Sequence, residues 1–220
     1  MSASLTYRDK IAVLDLGDDE NRFSPAFLIE INEHLDAVLA DGAHALITTA
    51  GGKFYSNGLD LDWLSANGDR AEWYVAQVHA LFARVLTFPM PTAAALPGHA
   101  FGAGAMLAVA HDVRVMRADR GYFCFPEADI RIPFTKGMAA LIQSKLTPKA
   151  AVASMTTGRR FGGPDALSYD IVDAVAAENA VTDTAFAQLA PLGPKDPGTI
   201  GAIKNVMFAD AVTALTLPSV

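Results

Sequence analysis

One stretch, from Leu96 to Asp112, limits what this chain can become more than any other. It follows a strand-like run, Thr92 to Leu96. It then passes Gly98, Gly102 and Gly104 and enters an all-apolar run, Met106 to Ala110. A run apolar on every side suits a buried helix. Glycines just ahead of such a helix leave backbone N–H groups bare at its N-terminus, where the helix dipole favours negative charge. The stretch is therefore either an anion or oxyanion site or a tight strand-to-helix turn, and its neighbours decide which.

The chain has 220 residues, 51% of them apolar, which fits one sizeable domain with room for a small appendage. A formal net charge of −7 argues against nucleic acid and against an anionic membrane surface, but leaves room for an anionic small molecule held by local Lys or Arg. Cys124 is the only cysteine, so no internal disulfide forms and a reducing cytoplasm is expected. Met1 to Lys10 is polar and lacks the apolar core of a signal peptide, and no apolar run suffices to span a bilayer. The five histidines show no ligand spacing, and no metal is expected.

Along the chain, Ile11 to Leu16 reads as a strand. Ser24-Pro25 reads as an N-cap with proline at the first helical position, opening a helix that ends at Asp41-Gly42. Ala45 to Thr49 is a second buried strand, and Trp73 to Phe88 an amphipathic helix. Asp112 to Met116 and Tyr122 to Phe125 are further strands, and Glu127 to Pro133 a loop. Gly137 to Lys145 and Pro148 to Thr157 are helices. Gly162-Gly163-Pro164 breaks the pattern, and Ile171 to Val175 is one more short strand. Helical segments Val181 to Leu189 and Gly198 to Leu215 close the chain, separated by a linker, Pro191 to Pro197. Alternating strands and helices imply an α/β layered core, and no solenoid-type repeat is visible.

Two segments share one design. Ser56-Asn57-Gly58-Leu59-Asp60 and Gly102-Ala103-Gly104 each leave a buried strand and turn through glycine into a helix. If their strands are neighbours, one N–H from each turn can converge on a carbonyl oxygen that becomes an enolate, and fixed donors stabilise that charge without reorganising. Each segment taken singly is an ordinary turn. Glu127 follows Tyr122 to Pro126, an apolar and aromatic run. A carboxyl held against such walls has its pKa raised into the range of a general base, whereas an exposed strand-end Glu does not. Asp129 is a rival more simply read as a solvated loop acid. His99 reads as a turn histidine bonded to backbone, Asp112 as a structural acid, and Met106 as an apolar residue of the buried helix. Gly102 and Gly104 make only a weak dinucleotide fingerprint, since Leu107 stands where its third glycine belongs.

Together and in this order, these segments resemble the enoyl-CoA hydratase/isomerase, or crotonase, superfamily over roughly Ile11 to Val175. The resemblance implies a crotonase-like α/β fold, a spiral of ββα units with a short C-terminal helical region. It sets a core domain at 1–190 and a shortened trimerisation segment at 191–220. It assigns the oxyanion donors to the Leu59 and Ala103 N–H groups and the catalytic acid/base to Glu127. Ser56, Asn57, Gly58, Gly102, Arg22 and Lys53 would meet the substrate or its CoA, and Met106 and Phe125 would line the acyl pocket. Asp170 stands where the family usually has glycine.

Hydratases of the family carry a second glutamate at the position of Met106. One carboxylate is enough to move a double bond, so the resemblance implies a Δ3,Δ2-enoyl-CoA isomerase. It would work in fatty acid β-oxidation without a cofactor, CoA being part of the substrate, as a homotrimer or dimer of trimers. A hydratase or other crotonase-type enzyme, and a non-catalytic acyl-CoA binding subunit, are the alternatives.

Overall fold

The computed structural model describes residues 3–217. The last three residues of the expected 191–220 segment lie outside them, as do Met1 and Ser2 at the polar N-terminus. A six-stranded sheet runs in the order β1 (Ser4–Arg8), β2 (Ile11–Asp15), β3 (Ala45–Thr49), β5 (Thr92–Leu96), β7 (Val113–Arg117), β9 (Ala174–Ala176). All its pairings are parallel except β1 with β2. A second, three-stranded parallel sheet is built from β4 (Phe54–Ser56), β6 (His99–Phe101) and β8 (Phe123–Cys124).

The chain passes from the large sheet to the small one and into a helix three times. The helices are α2 (Leu61–Ala66), α4 (Ala103–Ala110) and α5 (Glu127–Ile130). These turns are the ββα spiral the resemblance implies. No repeat is visible in the sequence because the small-sheet strands are two or three residues long and their helices differ in length and polarity.

The parallel strands read as continuous apolar runs because both faces are covered. On one face Ile47, Ala93, Ala95 and Val115 pack on α9 (Val181–Leu189) through Val181, Ala185 and Leu189. The main core on the other face takes in α1 (Pro25–Ala40), α3 (Ala71–Leu86) and α4. Helix α1 starts where the sequence says: Ser24 Oγ accepts the Phe27 N–H at 3.2 Å, with Pro25 behind it. Helices α6 (Lys136–Lys145) and α11 (Ala209–Thr216) meet so closely that a methyl group on Gly137 would stand 2.9 Å from Ala214 O.

Several elements depart from the sequence reading. β1 is a mostly exposed edge strand inside the polar N-terminus, where the alternation of Leu5 and Tyr7 with polar residues is too short to stand out. Glu127 opens a single helical turn, α5, rather than a loop, and that turn ends on Arg131 at φ +60°. Gly162 and Gly163 do not break structure but start helix α8 (Gly163–Ser168), with Pro164 in its first turn. The last strand is Ala174–Ala176, shifted toward the C-terminus from Ile171 to Val175. The final helical segment divides at Phe208 into α10 (Pro197–Met207) and α11.

Candidate active site

The two glycine turns touch. Gly58, at φ +82°, lies so near the start of α4 that a methyl group on it would stand 2.7 Å from Phe101 O and 2.9 Å from Ala103 N. Gly104 is pressed against Ser56, where a methyl would stand 2.5 Å from its carbonyl oxygen. Pairing of β4 with β6 creates this contact, since each strand runs straight into its turn. The Leu59 and Ala103 N–H groups have no acceptor among the described residues. Ala103 is the first residue of α4, so its N–H has no partner within the helix.

Leu59 and Ala103 both line a cavity of about 430 Å³, and so do Asn57, Gly102, Met106 and Glu127. The remaining wall is mostly apolar, with Leu61, Leu64, Val75, Phe101, Ile130, Ile132, Pro133 and Met138, and its polar members are Thr135, Arg22 and Asp62. Glu127 Oε2 is buried without a hydrogen-bond partner. Its other oxygen faces Gly102, where a methyl group would stand 3.5 Å away. Burial pushes the Glu127 carboxyl up to about 7, against a weaker lowering by its own backbone N–H. Desolvation penalises the charged form, and no cation compensates for it. Such a carboxyl loses and regains a proton readily near neutral pH, and two free N–H groups in the same cavity can hold an oxyanion.

The remaining sequence candidates divide. Asn57 lines the cavity, its N–H bound to Glu20 O at 2.8 Å. Ser56 does not line the cavity: it is wholly buried, and its hydroxyl donates to Asn21 O and accepts the Gly58 N–H. Arg22 stands on the cavity wall but is engaged by Glu20 and Asp62. Lys53 is not brought to the cavity. It lies over the Phe54 ring and lines a separate hollow with Arg117 and Arg120. Phe125 is not a wall residue either, because it is buried edge-on between Phe123 and Phe134.

Asp129 is exposed and absent from the cavity wall, its carboxylate lying over Gly158. His99 Nδ1 accepts the Tyr122 N–H, as a backbone-bonded histidine should. Asp112 is the structural acid expected, accepting from Thr92 N–H and Lys204 Nζ. The apolar wall residues escape the sequence reading because each belongs to an ordinary helix or loop pattern and only the spiral brings them together. Thr135 carries an N-cap signal, and its hydroxyl accepts the Met138 N–H.

A family model for enoyl-CoA hydratase/isomerase matches residues 7–218. The chain belongs to the enoyl-CoA hydratase/isomerase family. It is 35% identical over 191 residues to the peroxisomal enoyl-CoA delta isomerase 1 of Arabidopsis thaliana, covering 84% of this chain and 80% of the relative. It is 30% identical over 209 residues to a putative enoyl-CoA hydratase of Thermus thermophilus, covering 90% and 81%. Among solved structures, a Mycobacterium tuberculosis protein described in one structure as a probable enoyl-CoA hydratase and in another, apo, as an enoyl-CoA isomerase superposes with a TM-score of 0.89 at 27% identity, covering 97% of this chain and 91% and 93% of those chains. As in other enoyl-CoA hydratase/isomerase enzymes, the fold here is the crotonase spiral. Relatives of both activities match at similar lengths, so the choice between them falls to the residues of the cavity.

Proposed function

We propose that this enzyme is a Δ3,Δ2-enoyl-CoA isomerase. The single observation that carries the reading is the composition of the cavity. Glu127 has a buried oxygen without a hydrogen-bond partner, Met106 rather than a second acid lines the same cavity from α4, and the other carboxylate on the wall, Asp62, is bound to Arg22. Hydration of a double bond needs one group to activate water and another to handle the proton. Transposition of a double bond needs one base and a place for the enolate charge.

The thioester carbonyl of a 3-enoyl-CoA accepts from the Leu59 and Ala103 N–H groups. Ionised Glu127 takes a proton from C2, and the electron pair delocalises into the thioester as an enolate. Protonated Glu127 then returns a proton to C4 as the double bond settles between C2 and C3. The step needs no cofactor. Apolar walls exclude water from the enolate and receive the acyl chain. In this reading the enzyme works as a homotrimer.

Purified enzyme should convert 3-enoyl-CoA to 2-enoyl-CoA, and Glu127→Gln should lower kcat by about 10²–10⁴-fold. Because the base must be ionised, kcat/KM should rise with pH through about 7 and then level off. Hydration of 2-enoyl-CoA at a comparable rate would overturn the isomerase assignment.

A further inference from the structure

Behind the two donor turns lies a buried polar chain that the proton chemistry does not use. Tyr55, on β4, is four residues ahead of Leu59. Thr48 is on β3. His111 caps the C-terminal end of α4, whose first residue is Ala103. The exposures of Tyr55 and His111 are 0%, and that of Thr48 is 2%. Thr48 Oγ1 is 2.7 Å from Tyr55 Oη and 3.0 Å from His111 Nε2, while His111 Nδ1 is 2.8 Å from Leu107 O.

The hydrogens in this chain have one arrangement. Leu107 O only accepts, so Nδ1 carries the proton of a neutral imidazole. Nε2 must then accept, so the Thr48 hydroxyl donates to it, and the Tyr55 hydroxyl donates to Thr48. Burial keeps His111 neutral, pushed down to about 4. The bond to Leu107 O also fills a place that the helix leaves open. His111 N–H goes to Ala108 O instead, so the imidazole supplies the missing donor.

We infer that His111, Thr48 and Tyr55 are positioning residues that set the spacing between the two oxyanion donors, by tying the strand behind the Leu59 turn to the far end of the helix that starts at Ala103. The chain ties one donor segment to the other across β3, and every member is satisfied only in one relative position of α4 and β4. Helix α4 is apolar on all faces and has no other polar side chain to resist sliding or rotating along its axis. The inference rests on the oxyanion reading given above.

The test uses Thr48→Val, which keeps the shape and removes the central hydroxyl, and Thr48→Ser, which restores it. Misplacing a catalytic group by about an ångström costs on the order of 10²-fold. Thr48→Val is therefore expected to lower kcat about tenfold to a hundredfold with KM within twofold. It should weaken binding of acetoacetyl-CoA, whose enolate mimics the intermediate, by a similar factor and leave binding of saturated acyl-CoA unchanged. Thr48→Ser should recover most of both losses, and the pH at which kcat/KM rises should stay that of wild type.

Unchanged kcat in a folded Thr48→Val variant overturns the inference. So does an equal loss of affinity for the saturated acyl-CoA, which marks general disruption. If Thr48→Val does not fold, Tyr55→Phe, which removes one hydroxyl at the end of the chain, takes the same readouts with the same overturning outcomes. Wild-type enzyme that fails to isomerise 3-enoyl-CoA, or a fully active Glu127→Gln, overturns the isomerase reading instead and is distinguishable from both.

Discussion

At the scale of single residues, Glu127 shows what a buried carboxyl costs its protein. In the unfolded chain its carboxyl titrates near 4.5, and in the folded state near 7. The folded state therefore binds the extra proton between those values. Stability falls as pH rises through that window, with the full penalty present above it. The shift corresponds to about 3 kcal/mol, an order-of-magnitude figure. Glu127→Gln cannot ionise and escapes this penalty. Its melting temperature should exceed that of wild type at pH 8, and the difference should shrink toward zero below pH 5. A constant difference across that range would show that ionisation is not what burial opposes. The burial of Glu127 was legible because the run before it, Tyr122 to Pro126, is aromatic and apolar. The placement of Ser56 and Lys53 away from the cavity was not, since a residue's place in a motif does not say which way its side chain turns. Ser56 turns inward to bind Asn21 O and Gly58 N–H.

At the scale of elements, legibility followed length and chemistry. The Ser24 cap, the helix behind it and the central parallel strands carry unmistakable patterns, and they stand where the sequence puts them. The small-sheet strands β4, β6 and β8 carry none, because three residues cannot display a period. They are nevertheless the elements that bring the Gly58 and Gly102 turns into contact, so the part of the fold that builds the site is the part least visible in sequence. Asp170, where the resemblance implies glycine, has a backbone meaning that is readable only in the structure. Asp170 sits at φ +56°, in the left-handed region, after helix α8. A residue with a Cβ costs roughly 1–2 kcal/mol there, less for Asp than for most. Asp170→Gly should therefore stabilise the protein by about 0.5–1 kcal/mol, read as a higher urea midpoint at unchanged m-value. A lower midpoint would mean that the Asp side chain contributes more than its backbone strain removes.

At the scale of the whole molecule, α10 presents an inverted amphipathicity. Its inward side chain is a charge: Lys204 Nζ lies 2.6 Å from Asp112 Oδ2 and 2.8 Å from Met90 O. Asp112 follows directly on His111, at the far end of the helix that begins at Ala103. That pairing fixes the rotation of α10 and turns Ile203, Val206 and Met207 outward at i, i+3 and i+4, with exposures of 52%, 81% and 68%. Three large apolar side chains on one exposed helical face are what an association surface presents, and the proposed homotrimer gives them a place to be buried. The double substitution Val206→Asp with Met207→Asp adds charge where the single chain packs nothing, so the far-ultraviolet circular dichroism of the variant should match that of wild type. Wild type should scatter light with the mass of three chains, and the double variant with the mass of one. A wild-type mass of one chain would sink the assembly, and a double variant that stays threefold would move the interface to another face.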